Sequence, residues 1–152
     1  MGFKQGDSRW GNKPLGRSAY NMKGSGCLVT AVADSLNRHL YPTDPGKLVD
    51  WLNVNKGFQD PKGFLIFDAI RRFTKNKIKL VEGDRVRKIN NLIEVNWKLS
   101  NGRYTKHWLE KLTIPAPPGI KGEYVVDPTD GQGKSLTQTK WKATGRRLSL
   151  IY

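Results

Sequence analysis

The chain has little of the chemistry that metal and redox sites require. It holds one cysteine, Cys27, and two histidines, His39 and His107, in 152 residues. A single thiol excludes an internal disulfide and any multi-thiolate metal site, and a zinc centre would have to be built largely from carboxylates. There is no HExxH, no GxxxxGK[ST] and no GxGxxG, so metal and nucleotide cofactors are not expected. Acidic residues are also scarce: 13 Asp plus Glu stand against 27 Lys plus Arg, a formal charge of +14. The basic residues are spread along the chain and form no tail. Such a field is either a solvated surface tuned for solubility or an attractor of polyanions: nucleic acid, anionic lipid or the phosphate polymers of an envelope. No apolar run approaches the roughly 18 residues that cross a bilayer. Residues 1–13 lack the apolar core of a secretory signal, which points to the cytoplasm or to delivery by another route.

What is present suits one packed domain over residues 1–152: 37% of residues are hydrophobic and 10% aromatic. Residues 1–26 are polar and glycine-rich, without sustained periodicity. From Cys27 onward Leu28, Ala31, Val32, Ser35 and Leu36 fall at helical spacing, which predicts a buried helix over about 26–40. Asp44 as cap and Pro45 at the first helical position start a second helix, with Leu48, Trp51 and Leu52 on its apolar face. Phe64, Phe67, Ile70 and Phe73 recur in steps of three and predict a third. Beyond residue 75 the period shifts towards two. Ile78 and Leu80 read as a strand, and residues 84–91 as a short helix. Ile93, Val95, Trp97 and Leu99 read as a strand whose apolar side, Trp97 included, belongs to the core. Ser100-Asn101-Gly102 supplies hairpin turn chemistry, and residues 104–114 return as the partner strand. Residues 123–127 and 146–152 complete an antiparallel sheet. Helices first and sheet second give an α+β fold, with N-terminal helices packed on the sheet.

A lone cysteine on an apolar helix is commonly a small core hydrophobe. Cys27, however, follows Gly24-Ser25-Gly26 and begins its helix, where unpaired N–H groups and the helix dipole favour a thiolate. A thiol nucleophile needs a base. His39 lies twelve positions along the same helix, about 18 Å away at about 1.5 Å per residue, and reads instead as a surface or C-terminal capping residue. That leaves His107 as the base. A carboxylate to orient it should lie on a neighbouring strand. The turn near residues 117–119 sets residue 107 opposite residues 127–130, so Asp127 is the first choice and Asp130, in a Thr-Asp-Gly turn, the reserve.

Taken in order, Gln5-Gly6-Asp7-Ser8-Arg9-Trp10, Leu15-Gly16, Gly26-Cys27-Leu28-Val29-Thr30-Ala31, His107-Trp108 and Asp127-Pro128 resemble the C39-like cysteine peptidase family. The resemblance spans residues 3 to about 128. It implies a papain-like fold and hydrolysis of a peptide bond through a thioester, with Cys27, His107 and Asp127 as triad. It also implies that Gln5 donates its side-chain amide to an oxyanion hole beside the Cys27 backbone N–H, while Asp7 and Trp10 brace the segment. Related domains act in cell-wall and phage proteins, which adds peptidoglycan peptides to protein substrates and a virion-associated location to a cytoplasmic one. Two departures stand out. Lys106 occupies the place of a frequent glycine before the histidine, and the strand after His107 is more charged than the family's Val-rich run. The other reading is a catalytically silent module of the same fold that binds nucleic acid or another polyanion through its basic surface.

Overall fold

In the computed structural model, residues 1–137 and 140–152 are described. Among them the chain forms four helices and eight strands: α1 (Met22–Ser25), α2 (Cys27–Arg38), α3 (Pro45–Val54), β1 (Phe58–Gln59), β2 (Phe64–Leu65), α4 (Asp68–Phe73), β3 (Lys79–Glu82), β4 (Asn90–Lys98), β5 (Tyr104–Lys111), β6 (Tyr124–Asp127), β7 (Gln132–Ser135) and β8 (Trp141–Ile151). Six strands make one sheet, ordered β3-β8-β4-β5-β6-β7 and antiparallel at every pairing. The mixed α+β architecture read from the sequence is therefore the one observed.

The central helix α2 is buried from Val29 through Leu36, and its alanines at 31 and 33 let neighbouring elements approach closely. It packs on β5 and on α3, which starts as expected: Asp44 caps it by accepting from the Lys47 N–H at 2.8 Å, and Pro45 opens its first turn. His39 closes α2, its backbone N–H bonding the carbonyls of Ser35 and Leu36. The main core lies between these helices and the sheet and includes Val32, Leu36, Leu48, Leu92, Trp108, Leu148 and Leu150. Across the sheet a smaller cluster holds Ile93, Val95, Leu109, Val125 and Trp141.

Three expectations need correction. Residues 64–73 are not one helix: Phe64 and Leu65 pair with Gln59 and Phe58 in the small β1–β2 hairpin, closed through Gly63 at φ +73°, and only Asp68–Phe73 is helical. The step of three was read across two elements. Residues 84–91 form no helix, because β8, lying between β3 and β4, takes up backbone groups at both ends of the connection. The Gly83, Arg85 and Ile89 N–H groups donate to the Arg147 carbonyl, Ser149 Oγ and the Leu150 carbonyl respectively, and Asn90 already belongs to β4. Trp97 is only half-buried, because it sits next to the turn of the β4–β5 hairpin, where it covers His107. Strand ends also moved: β5 stops at Lys111, β8 begins at Trp141, and β7 was not foreseen. The Ser100-Asn101-Gly102 turn is present, with Gly102 at φ +81° and Asn101 Oδ1 accepting from the Arg103 N–H.

One buried polar cluster ties α2 to β5. Glu110 is fully buried and faces Asp34 and Arg38 of α2, and the Arg38 guanidinium lies 3.3 Å from its carboxylate. Burial, and then the neighbouring Asp34 carboxyl, push Glu110 well above the usual carboxylate range, against the pull of Arg38. A carboxyl raised in the fold holds its proton there while the unfolded chain releases it, so stability falls as pH rises above the ordinary Glu value of about 4.3. Glu110→Gln keeps a neutral group at every pH. Thermal melts should show its Tm improving relative to the wild type between pH 5 and pH 8; an unchanged difference would mean that Glu110 is ionised in the fold throughout.

Candidate active site

The site forms where two strands part. β5 and β6 pair at Glu110–Val126 and Lys111–Val125, and the Leu112 N–H donates on to the Tyr124 carbonyl. Towards residue 107 the strands diverge, and the fork holds His107 of β5 and Asp127 at the end of β6. Alternation sets both on the same side of the sheet as Leu109 and Val125. His107 Nε2 lies 2.7 Å from Asp127 Oδ1, with the two side chains only 5% and 2% exposed. The carboxylate is saturated: Oδ1 also accepts from the Thr129 N–H at 2.9 Å, and Oδ2 accepts from Lys134 Nζ at 2.9 Å. Lys134 reaches on to Asp130 Oδ2 at 2.8 Å. Asp130, the reserve orienter, therefore holds the lysine that holds Asp127, and does not touch the imidazole.

The electrostatics follow from this packing. Burial works to raise Asp127, but the hydrogen bonds from His107, the Thr129 N–H and Lys134 outweigh it and keep the carboxyl well below its ordinary range. Burial likewise works to lower His107. The hydrogen bond to Asp127, helped by the neighbouring Cys27 side chain, overcomes it and raises the imidazole to about 9. Cys27 and His107 are thus brought together. Because the anionic Asp127 oxygen can only accept, Nε2 carries a hydrogen, which leaves Nδ1 to exchange a proton with the thiol. The rings of Trp97 and Trp141, cross-strand partners, lie 4.9 and 6.4 Å from the imidazole centroid and cover it.

Cys27 is the first residue of α2, and Gly26 caps that helix without a side-chain hydrogen bond. The glycine is required by space: a Cβ on Gly26 would lie 2.6 Å from the Met22 carbonyl oxygen. The tight junction between α1 and α2 thus delivers the thiol to a helix start, where backbone N–H groups stabilise negative charge.

Gln5 is buried and links both sides of the site. Its backbone N–H donates to the Pro128 carbonyl at 2.8 Å, next to Asp127, and its Nε2 donates to the Lys23 carbonyl at 3.0 Å, in the short helix α1 that precedes Cys27. One amide hydrogen is thereby used and the second left for another acceptor. Trp10 Nε1 donates to the Lys4 carbonyl and Asp7 caps the following turn, so these residues brace the segment as expected. Lys106 lies on the face of β5 opposite His107 and directs its ammonium to Asn96 Oδ1 at 2.7 Å. In this position it leaves the imidazole pair undisturbed.

A cleft of about 940 Å³ opens at Cys27. Its walls are the start of α2, the β1–β2 hairpin, and the Glu94, Lys106, Trp108 and Arg146 side of the sheet. Most of the lining is aliphatic or aromatic, as in sites that take up a substrate side chain. Sequence reasoning missed Lys134, Thr129 and the two tryptophan covers. β7 lacks any apolar alternation, so nothing placed Lys134 beside Asp127. Trp97 and Trp141 carried a signal only through their cross-strand register. Comparison of the chain with protein-family models, with curated proteins and with solved structures finds no match.

The two histidines should titrate far apart. Burial, then the Arg38 charge, lower His39, whereas His107 is raised to about 9. His107 thus stabilises the fold fully below the ordinary His value of about 6.5, a contribution lost as pH rises through about 9. Imidazole NMR titration is expected to give one midpoint below 6.5 and one near 9, the latter moving down in Asp127→Asn. Two midpoints near 6.5 would contradict the ion pair described here.

Proposed function

We propose that the protein is a cysteine hydrolase of the papain-like, C39-like type, cleaving a peptide or amide bond with Cys27, His107 and Asp127. The observation that carries this reading is the buried imidazole coupled at once to a carboxylate at 2.7 Å and to a thiol at the start of a helix. An inert core cysteine has no need of such a partner. A helix that presents its first residue to an antiparallel sheet also suits a papain-like arrangement, and the ordered motifs from Gln5 to Pro128 agree with it.

The chemistry then runs in two halves. The Cys27 thiolate attacks the scissile carbonyl carbon, and the oxygen that becomes negative is met by the Cys27 backbone N–H and the free amide hydrogen of Gln5. His107, protonated in the resting pair, gives the Nδ1 proton to the departing amine, leaving an acyl thioester on Cys27. Neutral His107 next takes a proton from water as the water attacks the thioester. The carboxylic acid leaves, and its former sulfur partner returns to the ion pair. Asp127 holds the ring in one orientation throughout, itself kept ionised by Lys134 and the Thr129 N–H.

Peptidoglycan peptides and protein substrates are the ones to screen. Intact-mass measurement during turnover should find an acyl adduct on the wild type and none on Cys27→Ala. His107→Ala should lower turnover about 10²–10⁴-fold and Gln5→Ala about 10²–10³-fold. Full activity of Cys27→Ala on every substrate found would overturn the proposal and leave the silent polyanion-binding module as the surviving reading.

A further inference from the structure

The charge around the thiol cleft is one-sided, and strand register shows why. Residues directly opposite on antiparallel strands share a face. Asn96 of β4 stands opposite both Lys106 of β5 and Lys142 of β8, and Lys98 stands opposite Tyr104. Lys98, Lys106 and Lys142 therefore rise from one face of the β8–β4–β5 ribbon, with Tyr104 among them. All four side chains are exposed. Among the described residues none of the three lysines pairs with a carboxylate. One row further along the same face, Glu94 and Trp108 stand opposite each other and line the cleft with Lys106 and Cys27. The carboxylate of Glu94 is already engaged, accepting from Thr144 Oγ1 at 2.9 Å and from Arg146 at 3.4 Å. The cationic face thus runs into the reactive cleft without a free counter-charge of its own. At the cleft's rim two aromatic side chains are largely exposed, Tyr20 at 52% and Phe64 at 61%.

We infer that the cleft and this face together bind an acidic polypeptide, with a bulky apolar side chain between Tyr20 and Phe64 and carboxylate side chains on Lys98, Lys106 and Lys142. The inference rests on the hydrolase reading and names its substrate class. Three observations favour a peptide over a nucleic acid or phosphate polymer. A thiol paired with an imidazole attacks an acyl carbon. The cleft lining is aliphatic and aromatic, suited to a side chain. Along β4 and β5 the face repeats every two residues, about 6.6–6.8 Å, which is the spacing of alternate side chains in an extended peptide. The cations are lysines, point charges on flexible stems that accept carboxylates without demanding a fixed bidentate geometry.

The single thiol makes a direct test simple. Iodoacetamide alkylation of Cys27 is followed in the full chain with random copolymer poly(Glu,Tyr), with poly(Lys,Tyr), and with oligo(dT). Poly(Glu,Tyr) is expected to slow alkylation at least fivefold at saturation. The concentration needed should rise about tenfold in Lys98→Gln/Lys106→Gln/Lys142→Gln, whose changes are all on exposed side chains. Poly(Lys,Tyr) and oligo(dT) should protect weakly or not at all. Equal protection by oligo(dT), or protection by poly(Glu,Tyr) that the triple variant retains, would overturn the acidic-peptide assignment. Failure here is separable from failure of the hydrolase reading. A His107-dependent alkylation rate without polymer upholds the hydrolase even if no copolymer protects, and an inert thiol removes the hydrolase whatever the copolymers do.

Discussion

The hydrogen bond between His107 and Asp127, at 2.7 Å in a nearly water-free fork, sets the terms for the structure around it. Two ionisable groups are costly to bury unless each is matched, and here each is matched on more than one side. Asp127 is met by the imidazole, the Thr129 N–H and the Lys134 ammonium. The imidazole is met by Asp127 and the Cys27 thiol, and indole rings cover it. The early parting of β5 from β6 is what opens the fork. The turn through Thr129 and Asp130 and the return of β7 bring Lys134 back against the carboxylate. Elements that look peripheral in the chain are thus the ones that keep the pair dry and charge-balanced.

The thiol side of the site depends on a steric constraint. Gly26 has no room for a side chain, so α2 can begin at Cys27 directly after α1. The buried body of α2 fixes the helix in place through aliphatic packing, and the Asp34–Arg38–Glu110 cluster pins it to the strand that carries His107. Gln5 then joins the loop after Asp127 to helix α1 before Cys27 by two hydrogen bonds. Cys27 and His107 arrive from distant parts of the chain, and these cross-links bring their separation under structural control.

Cys27, His107 and Asp127 stand out in the sequence as candidate residues for physical reasons. A glycine lead into an apolar helix places a thiol at a helix start, distance along that helix removes His39, and hairpin arithmetic aligns residue 127 with residue 107. The long strands and the Asp44-Pro45 helix start were legible because alternation and capping are local. What was missed depends on non-local partners. Lys134 lies on a short polar strand that exists only because β6 offers it an edge. Trp97 alternates like a core residue, yet stands where the hairpin leaves the core and an imidazole takes the place of aliphatic neighbours. The aromatic steps from Phe64 to Phe73 cross a turn that Gly63 makes available, so their spacing mimics a helix face that the chain does not form. Asp130 was the reserve for the role of orienter, and its contact with Lys134 gives it a different one.

The most direct measurement of whether Cys27 and His107 form an activated pair is the rate of Cys27 alkylation by iodoacetamide from pH 4 to 10, in the native protein and in His107→Ala. The chain has one thiol, so the signal has one source. Alkylation at neutral and mildly acidic pH should be rapid in the native protein and largely lost in the variant, as expected of a thiol activated by a neighbouring imidazole. Equal rates in both proteins, or a thiol that reacts only after unfolding, would contradict the activated pair and reduce Cys27 to a structural residue.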